Sequence, residues 1–245
     1  MKQHIEETAS TNAWLMSRVR EMRARGEAIP DLYAVYTDFQ TAGRGAGTNK
    51  WHSSRGQNLL TSFCFATRLA AADQFVFNLW FATATRAFLA NYVPEVLIKW
   101  PNDMYVRDRK LAGDLTEHSV SGGRLDFTVA GIGINVNETD FPAWVPNPTS
   151  LRRETGMIYN VGALLDEYLA VLRNRRPLLG TAHTDELREE YLSHLYRLHE
   201  QHSYIIDGKT LTCTIQDIDR FGRLVLELPN GTRKAFGFKE VEYVV

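Results

Sequence analysis

Two short segments of the sequence combine residue types that could do chemistry on an anion. One is segment 99–103 (KWPND), which closes an apolar run and is followed by segment 109–113 (RKLAG). The other is the glycine-rich segment 40–51 (QTAGRGAGTNKW). Glycines let backbone N–H groups approach an anion closely, and a carboxylate beside cationic side chains can hold Mg²⁺ on phosphates. Together the two segments predict a site that joins a small carboxylic acid to a nucleotide.

Neither segment is specific when it is taken alone. The glycine-rich segment fits neither the Gly-x-Gly-x-x-Gly dinucleotide fingerprint nor a Walker loop, because its glycine spacing differs and no Gly-Lys-Ser/Thr follows it. Asp103 after a proline could be only a turn former. A hairpin turn at 107–108, however, would bring Lys110 close to Asp103. Segment 131–137 (GIGINVN) has glycines at alternate strand positions, which clear one face for a ligand, for another backbone or for a buried helix.

The composition argues against several other classes of protein. The chain has 245 residues, 44% hydrophobic and 23% charged, and a formal net charge of −1, which is typical of a soluble globular protein. The near-zero charge and the lack of a helix-turn-helix pattern before Ile5 disfavour binding to DNA. The apolar run 75–90 contains polar residues, so no membrane span is expected. Cys64 and Cys213 are expected to be buried, reduced thiols, which fits a cytoplasmic location.

The residue periodicity predicts an α+β chain with a mixed, largely antiparallel sheet flanked by helices, because many strands follow one another without intervening helices. The expected strands are 5–8, 32–39, 59–65, 96–99, 104–106, 110–118 and 127–135. The expected helices are one that begins at Ser10 or Thr11 and stops at Gly26, one over 73–92, and two amphipathic helices within 161–172 and 187–195. Segment 138–159 is rich in Pro, Asn and Thr and is expected to be a surface loop.

The character of the sequence changes after about residue 200. Five short strands are expected at 204–206, 211–215, 224–228, 234–238 and 241–245. Asp207-Gly208 and Asn230-Gly231 are typical of tight hairpin turns. Five short strands in succession predict a small β-barrel. The expected division is therefore a catalytic domain over 1–199 and a C-terminal barrel over 200–245.

Taken together, these motifs resemble those of the biotin protein ligases, in the short form without an N-terminal DNA-binding domain. The resemblance extends over nearly the whole chain and is carried by segments 10–12, 40–51, 99–103, 109–113 and 131–137. It implies a fold related to class II aminoacyl-tRNA synthetases and lipoate ligases, with an SH3-like C-terminal barrel. It also implies that biotin and ATP form biotinyl-AMP and pyrophosphate, and that a lysine of a biotin carboxyl carrier protein then accepts the biotin.

The resemblance also implies roles for individual residues. Lys110, Arg44 and Asp103 are expected to be catalytic, with Lys110 on the biotin carboxyl and the α-phosphate and Asp103 holding Mg²⁺. The residues expected to bind biotin are Ser10, Thr11, Gln40, Arg44, Gly45, Lys110 and Gly113. The residues expected to bind ATP are Asn12, Arg44, Trp51, Lys99, Asn102, Lys110 and Asn135.

The chain departs from the family pattern at three positions. Ala46 and Asn49 stand where the family loop often has arginines, which leaves fewer charges for ATP and predicts a less tightly held adenylate. Lys50 or Arg55 are candidates to compensate. Asp114 replaces an aliphatic residue, and a buried carboxylate is costly unless it is paired. It could face the site, bind a cation or lie at a sheet edge.

Two other functions remain open from the sequence. A lipoate-type ligase would use related motifs, and a non-catalytic biotin or nucleotide sensor would fit the missing loop charges. The presence of Lys110 and Asp103 disfavours the sensor. An exposed strand edge could pair with the carrier protein or with a second copy of the chain, so a homodimer is possible.

Overall fold

A seven-stranded mixed sheet is the framework of the N-terminal part of the computed structural model, which describes residues 1–47 and 49–244. Its strands are β1 (Lys2–Thr8), β2 (Tyr33–Gln40), β3 (Leu59–Phe65), β4 (Val96–Lys99), β5 (Asp103–Val106), β6 (Arg109–Ser121) and β7 (Arg124–Ile134). They lie in the order β1-β2-β3-β7-β6-β5-β4. Only the β1–β2 pair is parallel, and the other neighbours are antiparallel. The expected α+β class with a mixed sheet is confirmed.

Helices cover both faces of this sheet. They are α1 (Thr11–Ala24), α2 (Gln74–Leu89), α3 (Leu151–Thr155), α4 (Val161–Arg175) and α5 (Thr184–Ser193). Leu15 and Val19 of α1 pack on one face, against Cys64 and Val129. On the opposite face α2, α4 and α5 form the larger core, in which the α2 side chains are buried on nearly all sides. None of the helices within residues 1–47 and 49–244 is long and apolar enough to cross a bilayer.

The expectation that 138–159 is only a surface loop is wrong for its second half. Helix α3 lies there, and the hydroxyl of Ser150 caps it by accepting a hydrogen bond from the Arg153 backbone N–H at 3.1 Å. Leu151 is fully buried, and Gly156 ends the helix with a φ of +76°. The serine before and the glycine after a short segment were the signals that could have revealed this helix.

The C-terminal residues form a separate five-stranded antiparallel sheet. Its strands are β8 (Gln201–Ile206), β9 (Lys209–Ile218), β10 (Leu224–Glu227), β11 (Arg233–Phe236) and β12 (Val241–Tyr243). They lie in the order β11-β10-β9-β8-β12, and within the described residues the edge strands β11 and β12 do not pair with each other. The expected closed barrel is therefore not seen and stays a prediction. The last expected strand ends at Tyr243, and Val245 lies outside the described residues.

The large core depends on aromatic side chains that touch edge to face. Phe63 of β3 is fully buried, and its ring centroid lies 5.4 Å from that of Tyr168 and 6.3 Å from that of Phe81. It therefore joins the sheet to both α2 and α4. Cys64 and Cys213 are free and buried, as expected.

Replacing Phe63 with alanine should lower the free energy of unfolding by about 3–5 kcal/mol, because it removes a fully buried ring and leaves a cavity. Urea denaturation followed by circular dichroism measures this. Phe221→Ala is the matched control, since Phe221 is 56% exposed, and it should change the value by less than about 0.5 kcal/mol. Equal effects of the two substitutions would contradict this account of the core.

Candidate functional site

A cavity of about 220 Å³ lies on the α1 face of the seven-stranded sheet. All of the predicted site residues line it except Thr11 and Asn135. Those that line it are Ser10, Asn12, Gln40, Arg44, Gly45, Trp51, Lys99, Asn102, Asp103, Lys110 and Gly113. Segments far apart in the sequence thus meet at one place, as the motifs predicted.

The centre of the cavity is an ion pair between Lys110 and Asp103. Lys110 Nζ lies 2.7 Å from Asp103 Oδ1, and the two side chains are 30% and 22% exposed. The β5–β6 hairpin brings them together, with Asp103 opposite Gly113 in the register. A Cβ atom on Gly113 would lie 2.8 Å from Asp103 Oδ1 and 2.9 Å from Lys110 Nζ. A larger residue at this position would therefore push the ends of both side chains out of their present positions.

A hydrogen-bonded network of polar side chains surrounds the N-terminus of α1. Gln40 Oε1 accepts hydrogen bonds from the Thr11 backbone N–H at 2.8 Å and from its hydroxyl at 3.2 Å. The Ser62 hydroxyl lies 2.7 Å from Thr11 Oγ1 and 2.6 Å from Asn12 Oδ1. The Asn12 amide donates to Glu117 at 2.9 Å. Thr11 therefore lies behind Gln40 and fixes its orientation, and Ser62 is a member of the network that the sequence did not reveal.

The indole of Trp51 packs against Gly133 of β7. A Cβ atom on Gly133 would lie 2.5 Å from Trp51 Cζ2 and 2.7 Å from its Nε1. The alternate glycines thus clear space for Trp51 at Gly133 and for Asn12 at Gly131, on the face opposite α2. Lys110 Nζ is 5.7 Å from the Trp51 ring centroid. Trp51 Nε1 is buried with no hydrogen-bond partner within the described part of the chain, so its N–H is available to an acceptor.

A second, more apolar recess of about 260 Å³ lies beyond Trp51 and Lys110. Its walls include Phe141, Trp144 and Pro148 from the segment after β7. The ring centroids of Trp144 and His52 are 5.9 Å apart, edge to face, and Trp144 is 59% exposed. The predicted residue Asn135 lines this recess, where its amide donates to the Thr149 carbonyl at 2.9 Å. The aromatic residues within a proline-rich segment were the available signal for this recess.

Lys99 lies at the floor of the cavity, between the two sheets. Its Nζ is 5.1 Å from the ring centroid of Tyr105 on β5 and 4.4 Å from that of Tyr243 on β12. Burial lowers the pKa of Lys99, and the neighbouring carboxylate of Asp103 acts in the opposite direction. The aromatic faces stabilise the ammonium of this partly buried side chain.

The position of Asp114 answers the question that the sequence left open. It lies on the central strand β6, is 8% exposed and lines the cavity, so it is not at a sheet edge. The Asn102 amide donates to its carboxylate and, at 3.2 Å, to its backbone carbonyl. Burial raises the pKa of Asp114 well above its usual value, although the hydrogen bond from Asn102 acts in the opposite direction. Asn102 therefore holds Asp114 in place, and its expected contact with the nucleotide stays a prediction, since it also lines the cavity.

The glycine-rich segment forms a short hairpin at the mouth of the cavity. Arg44 and Lys50 face each other in an antiparallel bridge, and the Gly45 N–H donates to the Asn49 carbonyl at 2.8 Å. Thr48 of this segment lies outside the described residues. Arg44 is about half exposed, and its guanidinium lies 3.8 Å from the Glu117 carboxylate. A cationic side chain thus projects beside the glycine-rich segment at the entrance.

Comparisons with known proteins agree with this architecture. The biotin protein ligase of Aquifex aeolicus, solved in complex with biotin and ATP, superposes with a TM-score of 0.74 over 98% of this chain and 97% of that one, at 22% identity. The chain therefore has the fold of the biotin protein ligases. The Biotin/lipoate A/B protein ligase family profile matches residues 11–135, just over half of the chain, and the Biotin protein ligase C terminal domain profile matches residues 205–242. The chain belongs to the biotin/lipoate A/B protein ligase family.

Two curated relatives show how far the similarity extends. The bifunctional ligase/repressor BirA of Escherichia coli is 34% identical over 128 residues, which is 52% of this chain but only 38% of that protein. The biotin–[acetyl-CoA-carboxylase] ligase of Paracoccus denitrificans is 29% identical over 234 residues, covering 91% of this chain and 87% of that protein. The chain thus matches well under half of the length of the Escherichia coli relative.

Gly133→Ala should displace the Trp51 indole, because the added methyl group would overlap the ring. The expected cost is about 1–3 kcal/mol of stability, together with a shifted Trp51 indole N–H resonance in the ¹⁵N-correlated NMR spectrum. Gly180→Ala is the control, since nothing lies within 4 Å of a Cβ atom there. An unshifted resonance in Gly133→Ala would contradict the packing described above.

Asp114→Asn should change the pH dependence of stability. Burial in the folded state raises the pKa of Asp114. The carboxyl therefore costs no stability while it is protonated in both the folded and the unfolded state, below the ordinary aspartate pKa of about 4, and the protein loses stability as the pH rises from there through the folded pKa. Asparagine keeps an oxygen acceptor for the Asn102 amide and removes the charge. The Tm of the variant should therefore match the parent at pH values below about 4, the ordinary aspartate pKa, and exceed it by a growing margin as the pH rises toward neutrality.

The control for this titration is Asp140→Asn, because Asp140 is an exposed carboxylate in the same chain. Its Tm difference from the parent should stay small and constant across the pH range. If the Tm difference between Asp114→Asn and the parent were also independent of pH, burial would not raise the pKa of this carboxyl.

Proposed function

We propose that this chain is a biotin protein ligase, which forms biotinyl-AMP from biotin and ATP and transfers biotin to a lysine of a biotin carboxyl carrier protein. The observation that carries the proposal is the Lys110–Asp103 pair, held on Gly113 between a polar network and an apolar recess. The family membership and the relatives named as biotin ligases support the same substrates. The solved Aquifex aeolicus relative is described as a complex with biotin and ATP.

The first step brings two anions together, so it needs positive charge near the reacting atoms. A carboxylate oxygen of biotin attacks the α-phosphorus of ATP, the bond to the β-phosphate breaks, and pyrophosphate leaves. Lys110 is positioned to contact both the carboxylate and the α-phosphate. Its Nζ already lies against one carboxylate, that of Asp103, at 2.7 Å. A phosphate oxygen would occupy a similar position beside the ammonium.

In the second step the mixed anhydride is consumed. The neutral amine of a carrier lysine attacks the acyl carbon, an amide bond forms, and AMP leaves with the bonding electron pair while the amine loses a proton. Water is the competing nucleophile, so the adenylate must be shielded. We assign this shielding to the glycine-rich hairpin, whose Arg44 and Gly45 lie at the cavity mouth.

The two ends of the site suit different parts of the substrates. The α1 end offers donors and acceptors from Ser10, Gln40 and the Thr11 network, which suit the ureido group and carboxyl region of biotin. The recess beyond Trp51 offers aromatic walls, which suit the adenine ring. Lys110 lies on the boundary between the two spaces and lines both. Reactive atoms held at this boundary would meet beside its ammonium.

We assign Asp103 to Mg²⁺ that enters with the nucleotide. Mg²⁺ in nucleotide sites is commonly held by one or two carboxylates together with substrate phosphates and water. Asp103 offers such a carboxylate, and no cluster of three or more metal-ligating side chains occurs in residues 1–47 and 49–244. The donor set therefore fits a metal shared with ATP, which would supply charge neutralisation on the phosphates. Asn102 is turned toward Asp114 instead.

The wider organisation follows from the same proposal. We propose residues 1–199 as the catalytic domain and 200–245 as an SH3-like C-terminal domain, which the separate sheet from Gln201 supports. The buried free thiols of Cys64 and Cys213 support a cytoplasmic location. Strand β1 lies at an edge of the large sheet and is mostly exposed, so the carrier protein or a second copy of the chain could pair there.

Lys110→Ala should abolish biotinylation, because the reacting anions lose the cation between them. We expect the rate to fall by at least about 100-fold, measured by intact mass of a carrier domain incubated with enzyme, biotin and MgATP. Lys209→Ala makes the same charge change at an exposed position on β9 and should label at the parental rate. Labelling by Lys110→Ala as fast as by the parent would remove this lysine from the mechanism.

The same assay separates the proposed function from the alternatives. The parental enzyme should form biotinyl-AMP and should discriminate strongly against lipoate. Adenylation of lipoate in preference to biotin would identify a lipoate-type ligase. Binding of biotin and ATP with no adenylate formed would identify a sensor.

A further inference from the structure

The C-terminal sheet reaches into the entrance of the cavity through the turn between β11 and β12. The turn is closed by the Glu240 side chain, which accepts a hydrogen bond from the Gly237 N–H at 2.6 Å. Phe238 in this turn lines the cavity, and its ring centroid lies 6.3 Å from that of Trp100. The next residue, Lys239, has a φ of +70° and extends to the glycine-rich hairpin.

Lys239 lies directly against the tip of that hairpin. A Cβ atom on Gly47 would overlap Lys239 Nζ and would lie 2.7 Å from its Cε. Gly47 also has a φ of +68°, a backbone conformation that favours glycine. The contact brings an ammonium from the C-terminal sheet to the exposed backbone of the hairpin.

The charges around the cavity show what this ammonium could bind. Lys110 is paired with Asp103, and Arg44 lies 3.8 Å from Glu117. Lys239 is exposed, and within the described residues no carboxylate oxygen lies within 4.0 Å of its Nζ. The sequence of segment 45–49 (GAGTN) contains no charged residue. Lys50, which faces Arg44 in the hairpin, also lines the cavity. Lys239 is therefore a further cation, supplied by the other sheet, that an anion lying along this hairpin would meet.

We propose that Lys239 binds the phosphate chain of ATP, so that the C-terminal sheet supplies a nucleotide-binding residue to the catalytic cavity. This inference rests on the proposed function. Backbone N–H groups of a glycine-rich turn and an adjacent ammonium together form a favourable site for phosphate oxygens. In this chain Lys239 provides at the tip the positive charge that Ala46 and Asn49 do not.

The test compares four proteins: the parent, Lys239→Gln, Lys239→Arg and Lys234→Gln. Pyrophosphate release is measured at varied MgATP and varied biotin. Lys239→Gln should raise the KM for ATP by about tenfold, the loss expected for one partly exposed charge-assisted contact, and should leave the KM for biotin within about twofold. Lys239→Arg should restore most of the ATP affinity. Added salt should shrink the difference between Lys239→Gln and the parent, since it screens an exposed charge.

Lys234→Gln is the matched control, because it removes the same charge from an exposed position on β11 of the same sheet. It should behave like the parent. A Lys239→Gln variant with an unchanged KM for ATP, or equal effects of Lys239→Gln and Lys234→Gln, would overturn the assignment.

Calorimetric titration of the same proteins with MgATP, in the absence of biotin, distinguishes this inference from the proposed function. Weaker binding to Lys239→Gln supports the role of Lys239 even if no biotinyl-AMP is ever formed. Absence of biotinyl-AMP from the parent would overturn the proposed function alone. Equal MgATP binding to the parent and to Lys239→Gln would overturn the inference alone, and absence of MgATP binding to the parent would overturn both.

Discussion

The interaction on which the candidate site depends is the ion pair between Lys110 and Asp103. Two partly exposed charges at 2.7 Å contribute only about 0–1 kcal/mol to stability, so folding alone gives little reason to keep them. What the fold does supply is their position: the β5–β6 hairpin sets the register, and Gly113 leaves the space that both side chains fill. The ion pair holds the ammonium of Lys110 at the point where the two anionic substrates would meet.

The two faces of the large sheet have different roles: one packs into the large hydrophobic core and the other lines the cavity. On one face, aromatic side chains such as Phe63 and Tyr168 pack edge to face and exclude water, which makes the sheet a rigid platform. On the other face, Gly131 and Gly133 of β7 have no side chains, so Asn12 and Trp51 can pack directly against the backbone of the strand. Alternating side chains along one strand therefore serve the core in one direction and the cavity in the other.

Sequence reasoning succeeded where one local pattern decides the structure. Strands 59–65 and 96–99 were predicted to the residue, because short apolar runs between breakers are strong signals, and the hairpin geometry placed Lys110 beside Asp103. It failed where tertiary packing decides. Helix α3 has only five residues, which is too short to show a helical repeat of apolar residues in the sequence. The helix is stabilised mainly by the burial of Leu151. Ser62 belongs to a strand that is buried on both faces, and no sequence pattern indicates that the hydroxyl of one serine in such a strand will bond to a residue of α1.

The floor of the cavity depends on contacts between the two sheets, which no local pattern reveals. Trp100 donates its indole N–H to the Gly222 carbonyl at 2.9 Å, and Lys99 lies between Tyr105 of one sheet and Tyr243 of the other. Removing Lys99 from water disfavours its charged form, and the two aromatic faces offset part of that cost. If the C-terminal sheet moved away, Lys99 would lose one aromatic face and gain water. The electrostatics of the cavity therefore depend on the position of the C-terminal sheet, even though both residues of the central ion pair lie on the seven-stranded sheet.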